Sequence, residues 1–257
     1  LHVRSRRAAS DVYKRQEHGR IYWSPATGAH FVRGDIDRRW GQQGWETGFL
    51  GYPTTDEICR HGYCVQEFQG GTITWRPDGR RGLIIKGAIL GEWNRIGGGD
   101  GGMGPAQIEE QCWLRDGGCF QRFDRGHIYW QRYTGAHFVR GEIFKEWGRL
   151  GWEAGRMGYP TGPEACVLKD GGCFQSYEGG LIYWTMGTGA HPVIGKIGEH
   201  YASTGWERGR FGYPVEAERC TVGTKGLECT QRFQGGVIRW SHARGCLLYT
   251  SPSPRDS

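Results

Sequence analysis

The stretch Pro160–Trp184, PTGPEACVLKDGGCFQSYEGGLIYW, contains the phrase that recurs along most of this 257-residue chain. Its last three residues have the form Ile-x-Trp, and the tryptophan of that form occurs at Trp23, Trp75, Trp130, Trp184 and Trp240. The four intervals between these tryptophans are 52, 55, 54 and 56 residues long. A nearly constant period of this size is typical of repeat proteins. The sequence therefore predicts tandem repeats of about 54 residues.

The spacing inside each interval is stricter than the intervals themselves. From the second cysteine of each copy to the next Trp is 11 residues, and from each Trp to the following Gly-aromatic-Pro position is 30. The second copy of that position reads Met103-Gly104-Pro105, and one extra residue lies between Pro105 and Cys112. The remaining variation lies between the paired cysteines, which are 5, 7, 7 and 9 residues apart. Such confined variation is typical of a loop tip at the surface.

The cysteines indicate the compartment. Apart from Cys246, they form one pair per repeat: Cys59/Cys64, Cys112/Cys119, Cys166/Cys173 and Cys220/Cys229. Their odd separations are expected if the two members of a pair lie directly opposite each other across a β-hairpin. We expect a two-residue turn at His61-Gly62, and four-residue loops that end at Gly117, Gly171 and Gly226. Zinc is the alternative, but its usual C-x2-4-C spacing does not fit. The prediction is four local disulfides in an extracytoplasmic protein.

A short helix is predicted in every interval. An apolar residue is followed four positions later by an aromatic one at Ile36/Trp40, Ile89/Trp93, Ile143/Trp147 and Ile197/Tyr201. Residues four apart lie on one helix face, so each pair is expected to pack the helix onto the core. The Gly-Trp-Glu and Gly-Tyr-Pro phrases that follow are typical of tight turns.

The Ile-x-Trp segment is predicted to be a strand. Its Ile and Trp are the same in all five copies, whereas its middle residue changes: Tyr22, Thr74, Tyr129, Tyr183 and Arg239. Alternate residues of a strand point to opposite faces. We therefore expect Ile and Trp to face the core and the middle residue to face solvent or a partner.

The second copy is degenerate. It has Gly79-Arg80-Arg81-Gly82 where other copies have Thr-Gly-Ala-His, and Gly98-Gly99-Asp100 where others have Gly-Trp-Glu. It keeps the spacing of the repeat, which indicates that the spacing is structural and that the lost polar residues are less so.

The two ends carry no part of the repeat. Ser10–Gln16 (SDVYKRQ) and Cys246–Ser257 (CLLYTSPSPRDS) resemble translated sequencing-adapter read-through of assembled environmental sequences. We expect residues 1–16 and 246–257 to be non-native or disordered tails. The repeat domain is then 17–245, divided into 17–33 (partial), 34–86, 87–140, 141–194 and 195–245 (partial).

Charge and hydropathy exclude two classes of partner. The formal net charge is +6, and residues 1–16 contribute +4 of it, which leaves +2 on the repeats. Nucleic-acid binding is not expected without a basic stripe. No apolar run approaches the roughly 18 residues that span a bilayer, so no membrane span is predicted.

The repeated phrase resembles a known family. Leu50-Gly51-Tyr52-Pro53-Thr54-Thr55-Asp56-Glu57, with the phrase aromatic-Gly-Gly-x-Ile-Tyr-Trp-Ser-Pro-x-Thr-Gly-Ala-His, is similar to the LGFP repeat over about residues 17–241. The resemblance implies exported bacterial proteins in which such repeats accompany envelope enzymes and hold them to cell-wall polysaccharide. It also implies a compact, propeller-like ring. The paired cysteines, and Tyr in place of Phe, depart from the family pattern.

Histidines and glutamates are the candidates for chemistry. His30, His137 and His191 occur once per intact repeat, and they could ligate zinc, contact a glycan or make structural hydrogen bonds. Glutamates precede the first cysteine of every copy and follow the Trp of Gly-Trp-Glu: Glu57, Glu110, Glu164, Glu218, Glu46, Glu153 and Glu207. An enzyme needs one special carboxylate pair, so a copy in every repeat favours turn or cap hydrogen bonds. The sequence contains no G-x-S-x-G or H-E-x-x-H motif, and we expect no enzyme activity, no metal and no cofactor.

These observations predict a β-rich α+β tandem-repeat protein in which each repeat has a disulfide-pinned β-hairpin, further short strands and one short helix. The expected function is non-catalytic binding of cell-wall polysaccharide or another glycan at the cell envelope or outside the cell. The candidate ligand-binding residues are Tyr22, His30, Tyr129, His137, Tyr183 and His191. The alternative is a structural spacer for an envelope esterase, amidase or other hydrolase, fused or associated, that is not present in this fragment.

Overall fold

The computed structural model describes residues 13–16, 19–78, 81–100, 102–223, 226–242 and 246–250. Three parts of the chain that the sequence predictions concern lie outside these residues. They are most of the two predicted tails, Gly79-Arg80 of the degenerate copy, and 224–225 between the cysteines of the last pair. Strands occupy the described parts of both ends, at Tyr13–Gln16 and Cys246–Thr250. The predicted limits of the repeat domain stay a prediction.

The same order of elements recurs along the chain, with each of the first four groups of strands followed by one helix. The elements are β1 (Tyr13–Gln16), β2 (Gly19–Ser24), β3 (Gly28–Arg33), α1 (Gly34–Gly41), β4 (Ile58–Arg60), β5 (Tyr63–Phe68), β6 (Gly71–Trp75), β7 (Leu83–Ile85), α2 (Gly87–Arg95), β8 (Cys119–Phe123), β9 (Gly126–Gln131), β10 (Gly135–Val139), α3 (Gly141–Arg149), β11 (Cys173–Tyr177), β12 (Gly180–Thr185), β13 (Gly189–Ile194), α4 (Gly195–Ser203), β14 (Arg219–Gly223), β15 (Gly226–Phe233), β16 (Gly236–Ser241) and β17 (Cys246–Thr250).

The strands form small separate sheets, each built around one Ile-x-Trp strand. Their orders are β1-β2-β3, β4-β5-β6-β7, β10-β9-β8, β11-β12-β13 and β14-β15-β16-β17. In β11 and β12 the pairing is antiparallel and sets Cys173 opposite Trp184. No sheet among the described ranges closes into a barrel. The predicted β-rich repeat with one helix and one disulfide per copy is confirmed at this level.

The chain divides into two compact units. One runs to Gln111 and includes Phe120–Ile128, and the other comprises Cys112–Cys119 and the chain from Tyr129 onward. Each unit has its own core: Ile36, Trp40 and Leu50 belong to the core of the first, and Ile197 and Tyr201 to that of the second.

The predicted helix of each repeat is confirmed, and its aromatic residue is fully buried. That residue donates a hydrogen bond to the carbonyl of a glycine 11 residues later. The four bonds are Trp40 Nε1 to Gly51 O (3.1 Å), Trp93 Nε1 to Gly104 O (3.0 Å), Trp147 Nε1 to Gly158 O (3.0 Å) and the Tyr201 hydroxyl to Gly212 O (2.8 Å). These glycines have φ between 61° and 74°, in the left-handed region that favours glycine.

The bond from Trp93 corrects the predicted alignment of the second copy. It makes Gly104 the equivalent of Gly51, and Ala106 bridges to Phe123 as Pro53 bridges to Phe68. Pro105 therefore takes the place of the tyrosine in Gly-Tyr-Pro, and Ala106 takes the place of the proline. The predicted extra residue after Pro105 is wrong, because the insertion lies earlier: Trp75 precedes Ile89 by 14 residues, whereas the other copies have 13.

The same shift applies to the lost Gly-Trp-Glu phrase. Gly97 and Gly98 have φ of 107° and 44°, which match the 91° and 51° of Gly44 and Trp45. The phrase Gly97-Gly98-Gly99, and not Gly98-Gly99-Asp100, is therefore the equivalent of Gly-Trp-Glu.

The four predicted disulfides are confirmed as Cys59–Cys64, Cys112–Cys119, Cys166–Cys173 and Cys220–Cys229. His61 and Gly62 form the expected two-residue turn, with φ of 53° and 80°. Gly117 and Gly171 are left-handed, as predicted, with φ of 71°. Gly226 also has a positive φ, of 98°, but it pairs with Gly223, so both glycines belong to the strands of the last hairpin and not to the predicted four-residue loop.

The longer hairpin tips are held by the tyrosine of the next Gly-Tyr-Pro phrase. The Tyr159 hydroxyl donates to Arg115 O, and the Tyr213 hydroxyl donates to Lys169 O, each at 2.5 Å. A side chain at Gly118 or Gly172 would collide with these hydroxyls, since a Cβ there would lie 2.1 or 2.3 Å away.

A fully buried glutamine links neighbouring strands in every copy. Its amide donates one hydrogen bond to the preceding repeat and one to its own repeat. The pairs of accepting carbonyls are Phe31 and Thr55 for Gln66, Ile84 and Ile108 for Gln121, Phe138 and Gly162 for Gln175, and Pro192 and Glu216 for Gln231. A buried carbonyl without a hydrogen-bond partner costs free energy of folding. By donating to carbonyls of two consecutive repeats, these amides therefore stabilise the contact between those repeats.

Candidate functional site

The predicted exposure of the middle residue of Ile-x-Trp is wrong in four of the five copies, because the three tyrosines and Thr74 are buried. Tyr22, Tyr129 and Tyr183 are only 2, 6 and 3 % exposed. Tyr22 meets Trp40 edge to face at 4.5 Å between ring centroids, because the helix covers this face of the strand. The tryptophan that was assigned to the core is the more exposed residue, with Trp23 at 54 %. Sequence alternation cannot show that a helix covers one face of the strand and that the preceding repeat covers the other, as where Ile73 packs with Ile36 and Trp40.

The histidines bind their own hairpins. The Nε2 atoms of His30, His137 and His191 lie 2.8, 2.8 and 2.7 Å from the carbonyl oxygens of Thr27, Thr134 and Thr188. His30 also lies 3.4 Å from a carboxylate oxygen of Asp56 through Nδ1. Each ring is part-buried and closes the Thr-Gly-Ala-His turn. Of the three roles considered for these histidines, the geometry matches the structural hydrogen bond.

The glutamates before the first cysteines make ion pairs in place of the predicted turn or cap hydrogen bonds. Arg33 contacts Glu57 at 2.6 Å, Lys86 contacts Glu110 at 3.1 Å, and Arg140 contacts Glu164 at 2.7 Å. In the last copy the equivalent of the basic residue is Ile194, and Glu218 pairs with Arg156 at 3.5 Å. Burial raises the pKa of Glu218, and Arg156 opposes that rise. The first three of these carboxylates tie the N-cap residue of a helix to the following hairpin.

The same glutamates lie beside sulfur. Each forms a group within 4.8 Å with the two cysteines of its repeat: Glu57 with Cys59 and Cys64, Glu110 with Cys112 and Cys119, Glu164 with Cys166 and Cys173, and Glu218 with Cys220 and Cys229. Both sulfurs of every group are joined in a disulfide, and a metal ion requires a free thiolate. These groups therefore do not fit a metal.

The Gly-Trp-Glu phrase forms a left-handed turn that the sequence analysis did not single out as a site. Trp45, Trp152 and Trp206 have φ of 51°, 50° and 57°, a region in which a bulky residue is strained. Their side chains are 39, 46 and 38 % exposed. Strained residues that recur at one place are candidates for function. Gly98, which replaces Trp in the degenerate copy, is the sequence signal that could have revealed the positive φ.

The turn near Trp45 is filled by neighbouring side chains. The Arg20 guanidinium lies over the indole at 5.2 Å from the ring centroid, and its Nε is 3.7 Å from Asp37. Burial raises the pKa of Asp37, while Arg20 and a hydrogen bond from the Trp45 side chain oppose that rise. The indole also lies against the end of α1, since a Cβ at Gly41 would be 2.9 Å from it.

The turn near Trp206 borders an open groove of about 850 Å³. Phe174, Leu181 and Tyr183 form its apolar side, and Glu199, Glu207 and Arg208 its polar side, together with glycine-rich backbone. Glu207 is only 7 % exposed and lies 3.5 Å from Arg208 Nε. Small-molecule sites commonly have volumes of about 300–1,000 Å³, with apolar walls and few polar groups. Of the candidate ligand residues, Tyr183 lines this groove.

Consecutive disulfide-pinned hairpins, one helix per copy and a repeated exposed indole define a tandem-repeat module. The model of the LGFP repeat family matches residues 5–48, 50–101, 104–155, 157–209 and 211–247. The chain belongs to the LGFP repeat family, a family of repeat modules.

Comparisons with individual proteins add little. No curated protein sequence matches the chain. Two solved structures are similar over 95 % of it, described as the extracellular domains of a hybrid two component system and of a one component system, BT4673, from B. thetaiotaomicron. Their sequences are 10 and 11 % identical, the TM-score is 0.17 for both, and the chain covers 26 % of each. At that TM-score neither supports an inference of fold or function.

Within the part of the chain that the structure describes, no helix has the length and apolar character needed to cross a membrane.

Proposed function

We propose that this chain is a non-catalytic module that binds cell-wall polysaccharide or another glycan and so anchors an exported protein at the cell envelope. The observation that carries the proposal is the left-handed Gly-Trp-Glu turn, which presents a partly exposed indole at Trp45, Trp152 and Trp206. Sugars offer apolar C–H faces and polar hydroxyl edges, and an exposed indole beside carboxylates is complementary to both.

Two further observations support the setting. The four disulfides fit an oxidising compartment outside the cytoplasm. Membership of the LGFP repeat family supports a cell-surface context. The propeller-like ring that the family resemblance implies is part of the proposal, and so is the absence of catalytic activity.

A pull-down on insoluble cell wall and on a panel of immobilised polysaccharides tests the function. The triple variant Trp45→Gly/Trp152→Gly/Trp206→Gly removes the three indoles, and glycine suits the turn because Gly98 already occupies it with φ of 44°. We expect wild type to be retained and the triple variant to be lost. The control is Trp113→Ala, which removes an indole that is 71 % exposed on a hairpin tip. Failure of the folded wild type to bind any polysaccharide contradicts the proposal.

A structural spacer for an envelope enzyme is the second candidate function. It is favoured by the buried glutamine amides, which join consecutive repeats and stiffen the array without any ligand. The flanking coding sequence discriminates, since an adjoining esterase, amidase or hydrolase domain together with failed polysaccharide binding supports the spacer.

A further inference from the structure

We propose that the groove beside Trp206 is a subsite for an uncharged glycan, and that the equivalent place beside Trp45 is closed by Arg20. This inference rests on the proposed glycan-binding function. It goes further by assigning different states to two copies of one turn and by naming the charge of the ligand.

The two copies differ at two positions that face the indole. Arg20 directly precedes the isoleucine of its Ile-x-Trp strand, and the residue in that position of β12 is Leu181. Asp37, which follows the isoleucine of α1, corresponds to Gly198 in α4. The guanidinium over Trp45 and its carboxylate partner are thus replaced by a leucine and a glycine. Leu181 and Trp206 both line the open groove.

A guanidinium on an indole face occupies the place that a stacked ligand needs. Arg20 Cζ lies 5.2 Å from the centre of the Trp45 ring, within the distance of a cation–π contact. The pairing with Asp37 at 3.7 Å holds it there. A ligand must therefore displace an internal ion pair to stack on Trp45, whereas Leu181 and Gly198 cannot form such a pair beside Trp206.

The charges of the groove favour an uncharged ligand. Its three carboxylates each have a basic partner: Glu178 contacts Arg115 at 2.6 Å, Glu199 contacts Lys196 at 2.7 Å, and Glu207 contacts Arg208 at 3.5 Å. The groove therefore offers little net charge to an anionic or cationic ligand. Carboxylate oxygens accept hydrogen bonds from hydroxyls, so a neutral sugar can satisfy them while its C–H face lies on the indole.

An apolar ligand fits this groove poorly. Glu207 is nearly buried, and an acyl chain against it would remove the remaining solvation of a carboxylate without replacing it. A proline-rich peptide, which also docks in aromatic grooves, supplies few donors for Glu199 and Glu207. The polar side of the groove thus distinguishes a glycan from both.

The test is calorimetric titration of the full chain with dextran, mannan, galactan and arabinan oligosaccharides, and with a polyuronate and a proline-rich peptide. Trp206→Gly, and separately Leu181→Arg/Gly198→Asp, should each lower the affinity for the neutral oligosaccharide that binds by at least tenfold. The second variant keeps the indole and rebuilds the closed arrangement, and Gly198 has room because a Cβ there would lie 3.6 Å from its nearest neighbour atoms. The reciprocal Arg20→Leu/Asp37→Gly should add one binding site per chain.

Three results overturn the inference. They are wild-type affinity in both Trp206-groove variants, tighter binding of the polyuronate than of every neutral oligosaccharide, and binding of the proline-rich peptide with loss in Trp206→Gly. In the first two cases polysaccharide binding persists and the proposed function stands. Absence of binding to every glycan by the folded wild-type chain contradicts the proposed function itself.

Discussion

The second and fourth intervals, Trp75–Trp130 and Trp184–Trp240, follow the same plan with different surface residues. The second interval has lost the exposed Trp, the tyrosine of Gly-Tyr-Pro and the Thr-Gly-Ala-His turn, whereas the fourth keeps all three. Both keep a fully buried aromatic residue bonded to a glycine carbonyl, at Trp93 and Tyr201. The comparison distinguishes the buried residues, which the fold of the repeat requires, from the surface residues, which it does not require.

Some of these losses are correlated. The hairpin that precedes the second Gly-Tyr-Pro position is the shortest, with only His61 and Gly62 at its tip. The position that elsewhere holds a tip through Tyr159 or Tyr213 is here Pro105. A short hairpin tip offers no carbonyl for such a tyrosine to bind. The tip residues and the tyrosine that would contact them are therefore both absent at this place. No such pairing explains the loss of the exposed Trp, whose site is filled by Gly98.

Trp93→Ala should destabilise the protein as strongly as Trp147→Ala, although Trp93 lies in the degenerate copy. Both indoles are fully buried and donate one hydrogen bond, at 3.0 Å. Truncation of a buried Trp costs roughly 3–5 kcal/mol. Urea unfolding followed by far-ultraviolet circular dichroism measures it, with Trp113→Ala as the exposed control, expected to change stability by under about 0.5 kcal/mol. A cost for Trp93→Ala close to that control would show that the second copy no longer depends on its core.

Gln121→Met and Gln231→Met should be the next most costly changes. Each removes an amide that donates to one buried and one part-buried carbonyl, and keeps a similar side-chain volume. We expect a loss of roughly 1–3 kcal/mol in both intervals, because a buried acceptor left without a partner retains its desolvation cost. The exposed Gln42→Met is the control, and urea midpoints measure the difference. Equal stability of all three variants would mean that water replaces the amide.

Much of this plan was predictable from spacing, because spacing records the frame. The Ile-x3-aromatic pairs predicted the helices, and the odd cysteine separations predicted the hairpins. The buried glutamine was also visible, two residues after the second cysteine in every copy, as in Cys64 and Gln66.

Other features were beyond the sequence. The burial of Tyr183 depends on a helix packed over its strand. The alignment of Pro105 with the tyrosine of the other repeats depends on the hydrogen bond from Trp93 to the carbonyl of Gly104. The strained φ of Trp206 opposes the preference of the residue, so no local propensity indicates it, and only Gly98 at the equivalent place of the second copy gives a sequence signal. The groove that Leu181 and Trp206 share is likewise a product of tertiary packing.

Alkaline pH should destabilise the fourth interval, where burial raises the pKa of Tyr201 well above its ordinary value of about 10. Below pH 10 the tyrosine is neutral in both states and contributes no pH dependence. Above pH 10 it ionises in the unfolded chain while the folded chain keeps it neutral, so stability falls as the pH rises.

Tyr201→Phe should remove about 1.4 kcal/mol of the stability lost between pH 9 and pH 11. At pH 7 the same variant should be less stable by about 1 kcal/mol, because the hydrogen bond to Gly212 O is gone. Urea unfolding at the three pH values separates the two effects. Tyr133→Phe, at a position 84 % exposed, is the control. An unchanged pH slope in Tyr201→Phe would assign the alkaline loss to other groups.

The smallest effect on stability is expected for Trp206→Gly, and it bears most directly on the difference between the intervals. The left-handed φ of 57° costs a residue with a Cβ about 1–2 kcal/mol, and glycine avoids that cost. The lost packing of an indole that is 38 % exposed opposes this gain, so the net change should lie within about 1 kcal/mol. Trp206→Ala loses the indole and keeps the strain, so it should be less stable than Trp206→Gly by about 1 kcal/mol. Thermal unfolding of the two variants measures the difference. If the alanine variant is the more stable, the turn is not strained, and Gly98 in the second copy does not relieve a strain that the tryptophans of the other copies bear.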